Sequence, residues 1–274
     1  MKNARERIER ITRTDTCRDV EHHPQACSDA QEGAETLTFS ILARDSVTGA
    51  LGAAVASRFF AVGAICLHVE GRVGAMSVQA FPNPMYVRPG MEGLRNEQPP
   101  ELILSGLIVP DAGREMRQVH LLDRNGVSAS HTGTECVDWA GHDAADGVSV
   151  AGNMLAGPEV LPAMLVGYAD AAGKPFAERL MAAMEAGERA GGDKRGKQSA
   201  ALKICLDDPY PDLDIRADDS TDPLPELRRL YQVSLERYAV FRRHMPGATS
   251  AWGTLDRAIV EADILRHGKP LKNF

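Results

Sequence analysis

The order of predicted strands and helices constrains the fold of this 274-residue chain more than any other feature. Apolar runs bounded by turn residues predict strands, and apolar residues recurring every three or four positions predict helices. A turn that suits a hairpin separates the first strand from the second, and a glycine-containing turn separates the third from the fourth, so the four consecutive strands predict one antiparallel sheet. The predicted strands span residues 36–44, 51–57, 64–69, 73–79, 118–122, 127–130, 148–152 and 199–206.

Helices interrupt this series twice. Apolar spacings after residue 84 predict two helices, and residues 159–170 and 176–190 predict two more. The order is therefore strands, two helices, strands, two helices and a strand. We expect an α+β fold, a four-layer αββα sandwich in which two antiparallel sheets stack and a helical layer covers each.

Composition divides the chain into three parts. Residues 1–35 are polar and predict a leader that is disordered or absent from the mature protein. Residues 36–221 hold the predicted sandwich. Residues 222–274 predict a C-terminal helical extension, with one long amphipathic helix over 222–241 and a shorter one over 255–267.

Charge and hydropathy exclude several classes of function. The net charge is -7 and aromatic residues make up 5% of the chain, so a basic surface with stacking platforms for nucleic acid is not expected. The N-terminus lacks the apolar core of a secretory signal, and no apolar run reaches membrane-spanning length. We therefore expect a cytoplasmic protein that binds neither nucleic acid nor membranes.

The five cysteines are an odd number spread over a large chain, which favours reduced thiols over a disulfide framework. Cys17, His22, His23 and Cys27 are residue types that bind metals. Their spacing matches no familiar zinc pattern, so we interpret them as part of the polar leader and expect no metal site and no cofactor.

Several motifs resemble one known family in the same order and spacing, from about residue 38 to about residue 231. They are 38–45 (TFSILARD), 54–59 (AVASRF), 61–63 (AVG), 79–84 (QAFPNP), 139–142 (WAGH), 152–157 (GNMLAG) and 191–202 (GGDKRGKQSAAL). The chain closely resembles the DUF1028 family, which is classed with the N-terminal nucleophile (Ntn) hydrolases. The resemblance implies the Ntn αββα fold and a nucleophile at the first residue of the first strand.

The position that matches this nucleophile is Thr38. An N-terminal threonine can use its own α-amine as the base for its hydroxyl, but only when no residue precedes it. Leu37 stands where family members commonly have the initiator Met. Two explanations remain open: residues 1–37 are a propeptide cut before Thr38, or Leu37 is an alternative start codon and the leader is an error of gene calling.

The catalytic candidates are Thr38, Asn153, Asp193, Lys194 and Ser199. Asn153 and nearby backbone N–H groups are candidate oxyanion donors. Asp193, Lys194 and Ser199 stand at the start of the last strand, where Ntn hydrolases often keep groups that orient the terminal amine. The alternative for Asp193 and Lys194 is a solvated turn between helix and strand.

Five further residues are candidates for substrate binding: Ser40, Arg58, Gln79, Asn83 and His142. Each has a structural alternative. Ser40 lies on the same strand face as Thr38 and either contacts the nucleophile or is a buried serine bonded to backbone. Arg58 either binds a carboxylate or forms a surface ion pair. Gln79 and Asn83 bind substrate amides or cap a turn, and His142 is a ligand or a packed loop residue.

We expect an Ntn-type amidohydrolase that cleaves the C–N bond of a small-molecule amide through an acyl-enzyme. The alternative is a binding protein without activity, or an unprocessed precursor, on the same fold. The apolar positions of the C-terminal helices predict a homodimer or higher homo-oligomer.

Overall fold

The computed structural model describes residues 38–192 and 196–269, and it has an α+β fold with two antiparallel sheets. The strands are β1 (Thr38–Arg44), β2 (Leu51–Ser57), β3 (Leu67–Glu70), β4 (Gly74–Ala80), β5 (Arg117–Asp123), β6 (Ser128–Thr132), β7 (Gly141–Ala145), β8 (Val148–Asn153), β9 (Ser199–Cys205) and β10 (Leu213–Ala217). Within the described residues the α-helices are α1 (Val62–Cys66), α2 (Val87–Arg95), α3 (Pro100–Ile108), α4 (Val160–Asp170), α5 (Phe176–Arg189), α6 (Pro223–Ser234), α7 (Tyr238–Arg242) and α8 (Arg257–His267).

The larger sheet has six strands in the order β10-β9-β2-β1-β8-β7. Its central strand β1 is buried on both faces from Thr38 to Ala43. Phe39 and Ile41 face helices α4 and α5, whereas Leu42 faces the second sheet, because successive side chains of a strand point to opposite faces. This double burial explains why apolar residues occupy consecutive positions from Ile41 to Ala43.

The smaller sheet has the order β3-β4-β5-β6, and helices α2 and α3 pack on its outer face. Met76, Val78 and Leu121 belong to the apolar cluster on that face. The inner faces of the two sheets meet through strand pairs β1 with β4 and β5 with β8. Each sheet therefore has helices on one side and the other sheet on the other side.

Several predicted elements are wrong in detail. The first four strands do not share a sheet, because β1 and β2 belong to the larger sheet and β3 and β4 to the smaller one. Residues 64–66, predicted as strand, lie in helix α1. The N–H of Val62 donates to Ser199 Oγ at 3.0 Å, and Gly63 lies so close to Ala201 that a Cβ would clash. These tertiary contacts override the local strand pattern.

The predicted helix over 222–241 is also wrong, since it divides into α6 and α7. The carbonyl of Leu235 accepts the N–H of Lys269, which follows α8, and Arg237 has a non-helical backbone conformation. Helix α6 buries Leu224, Leu227 and Tyr231 in the core beneath the larger sheet. Helices α7 and α8 share a separate small apolar cluster. The sequence also failed to predict strands β7 and β10.

The leader residues 1–35, with Cys17, His22, His23 and Cys27, lie outside the described residues. Within residues 38–192 and 196–269, no helix combines the length and apolar character needed to cross a membrane.

Helix α5 should contribute strongly to stability through Leu180, which is fully buried against the larger sheet. We expect Leu180→Ala to lower the free energy of unfolding by about 2–5 kcal/mol, because it leaves a cavity in a packed core. Leu102→Ala in α3 is the matched control, since Leu102 is 61% exposed and its truncation should cost less than about 0.5 kcal/mol. Urea unfolding measures both, and equal losses would contradict this description of the core.

Candidate active site between the two sheets

Four polar residues lie side by side at one end of the larger sheet. Asn153 pairs with Thr38, and Ser57 pairs with Ser199. The register of β1 with β2 brings Thr38 opposite Ser57, and the two hydroxyl oxygens are 3.4 Å apart. Directly opposed residues project to the same face of a sheet, so these four side chains form a row that points between the sheets.

The row continues into a larger buried polar zone between the sheets. Its members are each at most 2% exposed, and they are Thr38, Ser40, Ser57, Ser77, Gln79, Gln118, His120, Ser149, Asn153 and Ser199. Buried polar groups are costly unless they are hydrogen-bonded, so the contacts within this zone decide what it can do.

Gln118 is the centre of the zone. Its Nε2 lies 2.8 Å from the carbonyl oxygen of Gly152, 2.9 Å from that of Gly141 and 2.9 Å from Thr132 Oγ1. Its Oε1 accepts from Gln79 Nε2 at 2.8 Å and from Asn153 Nδ2 at 2.9 Å. Gln118 therefore links the two sheets and holds the carboxamide of Asn153.

His120 lies two residues after Gln118 on β5, so the two side chains are on the same face of the strand. Its Nε2 is 2.9 Å from Ser40 Oγ, and its Nδ1 is 2.9 Å from Ser149 Oγ. Complete burial, with a smaller contribution from His142, lowers the pKa of His120 to about 3. The ring is therefore neutral near pH 7, and both nitrogens are occupied by serine hydroxyls.

Ser199 anchors a neighbouring loop. Its hydroxyl donates to the carbonyl of Phe59 at 2.5 Å and accepts the N–H of Val62. The structure thus brings Ser199 into the row with Thr38, two strands away, while its hydrogen bonds are made to the segment that follows β2.

Backbone strain surrounds the zone. Ala61, Ala80 and Met154 have positive φ values of 51°, 63° and 52°. Ala80 follows Gln79 directly, Met154 follows Asn153, and Ala61 precedes the residue bonded to Ser199. Non-glycine residues in this region cost about 1–3 kcal/mol and concentrate at functional sites, which supports a functional role for this end of the sheets.

The loop after β8 leaves few backbone donors near Thr38. The N–H of Met154 donates to the carbonyl of Val137, and that of Leu155 donates to Trp139, both at 2.9 Å. The backbone N–H groups expected to assist Asn153 as oxyanion donors are therefore used elsewhere at these two positions.

The other substrate-binding candidates occupy different surroundings. His142 is joined to the zone through Thr132, whose Oγ1 lies 2.9 Å from His142 Nδ1, and partial burial lowers the pKa of His142. Asn83 caps the turn at Met85 and donates to Asp111 at 3.2 Å, as in its structural alternative, and it is not bonded to the zone. Arg58 follows Ser57 and is exposed.

Asp193 and Lys194 lie outside the described residues. Just before them the chain passes the helix-facing side of β1, because a Cβ on Gly192 would lie 3.7 Å from the ring of Phe39. The Gly192 carbonyl also accepts the N–H of Ala156, near the end of β8.

Sequence reasoning overlooked Ser57, Ser77, Gln118, His120 and Ser149. The available signal was alternation: polar residues occupy every second position of Ser77-Val78-Gln79 and Gln118-Val119-His120 in otherwise apolar strands. Such alternation marks one face of a strand as polar.

The described residues of the zone carry no formal charge, and His120 is their single titratable side chain. Residues 38–192 and 196–269 also contain no cluster of three or more histidine, cysteine or acidic side chains arranged to hold a metal.

Comparisons with known protein families and solved structures match the part of the chain that forms this fold. The model of DUF1028, described as a family of unknown function, matches residues 38–227. The crystal structure of protein SPO2555 from Silicibacter pomeroyi, assigned to the same family, is similar at 34% identity and a TM-score of 0.75, over 81% of this chain and 96% of that one. No curated protein matches the chain significantly.

The neutral state of His120 gives a pH signature. Its folded pKa lies below the usual value of about 6.5, so its contribution to stability is present above that pH and is lost as the pH falls toward 3. The stability difference between the wild type and His120→Gln should therefore shrink on acidification below about pH 6.5. Chemical unfolding at a series of pH values measures it, and a constant difference would contradict the burial of a neutral imidazole.

Proposed function

Since the chain belongs to the DUF1028 family, we propose its function from the site itself: an amidohydrolase of the Ntn type that cleaves a small-molecule amide with Thr38 as nucleophile. The observation that carries the proposal is the position of Thr38. It begins the central strand of the larger sheet, next to Asn153 and 3.4 Å from the Ser57 hydroxyl.

The arrangement of layers supports this proposal. Helices α4 and α5 cover the larger sheet, α2 and α3 cover the smaller one, and the sheets face each other. We propose that this is the four-layer αββα sandwich of Ntn hydrolases, in which the nucleophile starts a central strand.

The lack of another base in the described part of the zone also favours Thr38. Both nitrogens of His120 are engaged with Ser40 and Ser149, so the ring cannot accept a proton from the Thr38 hydroxyl. A free α-amine at Thr38 has a usual pKa of about 8 and lies within a few bonds of Oγ. It would supply the base where the described side chains offer none.

The proposed reaction has two steps. Thr38 Oγ attacks the amide carbon while its proton passes to the α-amine, and the C–N bond then breaks as the amine returns that proton to the leaving nitrogen. Water attacks the resulting ester, giving a proton to the amine. The acid product leaves, and Oγ regains its proton.

The negatively charged oxygen of each tetrahedral intermediate needs a donor. Asn153 Nδ2 uses one hydrogen for Gln118 and keeps a second, and Asn153 lies opposite Thr38 in the sheet. We assign the oxyanion contact to this second N–H, because the N–H groups of Met154 and Leu155 are engaged.

A second candidate function has an observation in its favour. Thr38 is only 1% exposed in the full chain. While Leu37 remains attached, the α-amine is an amide nitrogen and cannot act as a base. A chain that is never cut before Thr38 would be a precursor or a binding protein without hydrolase activity.

Labelling by an electrophile tests the nucleophile. A site-specific protease sequence placed before Thr38 allows the folded protein to be cut so that Thr38 is the first residue. We expect a β-lactone to acylate this protein once at Thr38, detected by mass spectrometry of its peptides. A protein cut so that it begins at Leu37 should not react, because its amine is one residue away from the hydroxyl.

Substitution at Thr38 sharpens the test. Thr38→Ser should retain labelling, Thr38→Ala should abolish it, and the control Thr134→Ala, at an exposed threonine, should leave it unchanged. Equal labelling of the proteins beginning at Thr38 and at Leu37 would overturn the proposal.

Asn153 has its own expected effect. Asn153→Ala removes the proposed oxyanion donor and should lower the rate of acylation by about 10²–10³-fold. The control is Asn125→Ala in the exposed β5–β6 turn, which should leave the rate unchanged. An unchanged rate in Asn153→Ala, with the fold intact, would remove Asn153 from the mechanism.

A further inference from the structure

The two hydrogens of the Gln118 amide determine which atoms donate along the hydrogen-bonded series from Gln118 to Ser149 in the polar zone. Backbone carbonyl oxygens can only accept, so the Gln118 atom bonded to Gly141 O and Gly152 O is its nitrogen. The opposite atom is then the oxygen. It must receive N–H groups from Gln79 and Asn153, which fixes both of those carboxamides.

The direction of these hydrogen bonds also fixes which ring nitrogen of His120 carries the proton. With its nitrogen turned to Gln118, Gln79 presents its oxygen to Ser40 and Ser77, and both hydroxyls donate to it, at 2.7 and 3.0 Å. Ser40 has then spent its single hydrogen. Its oxygen can only accept from His120 Nε2, so that nitrogen carries the proton.

The hydrogen bond at the other ring nitrogen of His120, Nδ1, is then fixed as well. A neutral His120 with a proton on Nε2 has a bare Nδ1, which accepts from the hydroxyl of Ser149. Ser149 in turn accepts from Ser130 Oγ at 3.3 Å. Two main-chain carbonyls thus set the donor-to-acceptor direction of a whole series of hydrogen bonds. The series runs through Gln118, Gln79, Ser40, His120 and Ser149.

From this geometry we propose that Gln118 is the positioning residue of the site: it fixes the donor sense of the network and so decides which N–H of Asn153 remains for a ligand. One Asn153 hydrogen is committed to Gln118 Oε1, and the planar amide leaves a single second direction. The direction of the hydrogen bonds does not depend on the proposed hydrolase function. The role of Asn153 beside Thr38 does rest on that proposed function.

The tautomer of His120 tests the network in the unmodified full chain. Two-dimensional ¹H–¹⁵N spectra of the histidine rings, assigned with His120→Gln, should give a protonated Nε2 and an unprotonated Nδ1 from about pH 5 to 8. A proton on Nδ1 alone, or an imidazolium in this range, would overturn the inferred sense.

Gln118→Glu tests whether the carbonyls of Gly141 and Gly152 require a hydrogen-bond donor at position 118. In this variant a protonated carboxyl group can still donate one O–H to a carbonyl and accept from Asn153, whereas an ionised carboxylate faces Gly141 O and Gly152 O without a donor. The folded pKa of the introduced carboxyl group should therefore be raised, and the variant should lose stability as the pH rises above about 4.3, the unfolded value. The control Gln98→Glu, at an exposed position, should lack this loss. Matching pH profiles of the two variants would contradict the anchor.

A double-mutant cycle tests positioning. In the protein cut before Thr38, Gln118→Ala should slow β-lactone acylation by about 10-fold, but it should have almost no further effect in an Asn153→Ala background. An equal loss in both backgrounds would mean that Gln118 does not act through Asn153, while Thr38 would remain the nucleophile. Absence of any acylation would reject the hydrolase and leave the histidine spectra to decide the network.

Discussion

The structure depends on two backbone carbonyls, those of Gly141 and Gly152, that hold the side chain of Gln118 between the sheets. Without this anchor, the facing polar side chains of β1, β4, β5 and β8 would be a set of buried groups with no defined partners, which is costly in an interior of low dielectric. With it, the donor and the acceptor of each hydrogen bond from Gln118 through Gln79, Ser40 and His120 to Ser149 are defined. The polar half of the interface between the sheets is therefore as well specified as the apolar half around Leu42 and Leu122.

The site follows from strand register rather than from a single motif. Thr38 begins β1, Asn153 ends β8, Ser57 ends β2 and Ser199 begins β9, and antiparallel pairing brings these four strand ends to one level. The strained residues Ala61, Ala80 and Met154 lie where the chain leaves this level. A rigid sheet thus holds the candidate nucleophile and its neighbours, and their relative positions depend little on loops.

Local sequence signals predicted much of this fold and less of the site. Strand β2 and the β5–β6 hairpin could be predicted because apolar runs and the Asn125-Gly126 turn are local features, and Gly126 has the expected positive φ of 90°. Helix α1 could not, because its start depends on Ser199, far along the chain. Gln118 and His120 were overlooked for the same reason: their importance comes from partners on other strands.

The central claim is that Thr38 acts through its own free amine, and the most direct measurement is the intact mass and N-terminal sequence of the protein purified from its native host. The proposed function requires a chain that begins at Thr38, whether through cleavage of a leader or through a start codon at position 37. A chain in which Thr38 remains joined to Leu37 would have no terminal amine at the site. That result would contradict the hydrolase and favour a precursor or a binding protein on this fold.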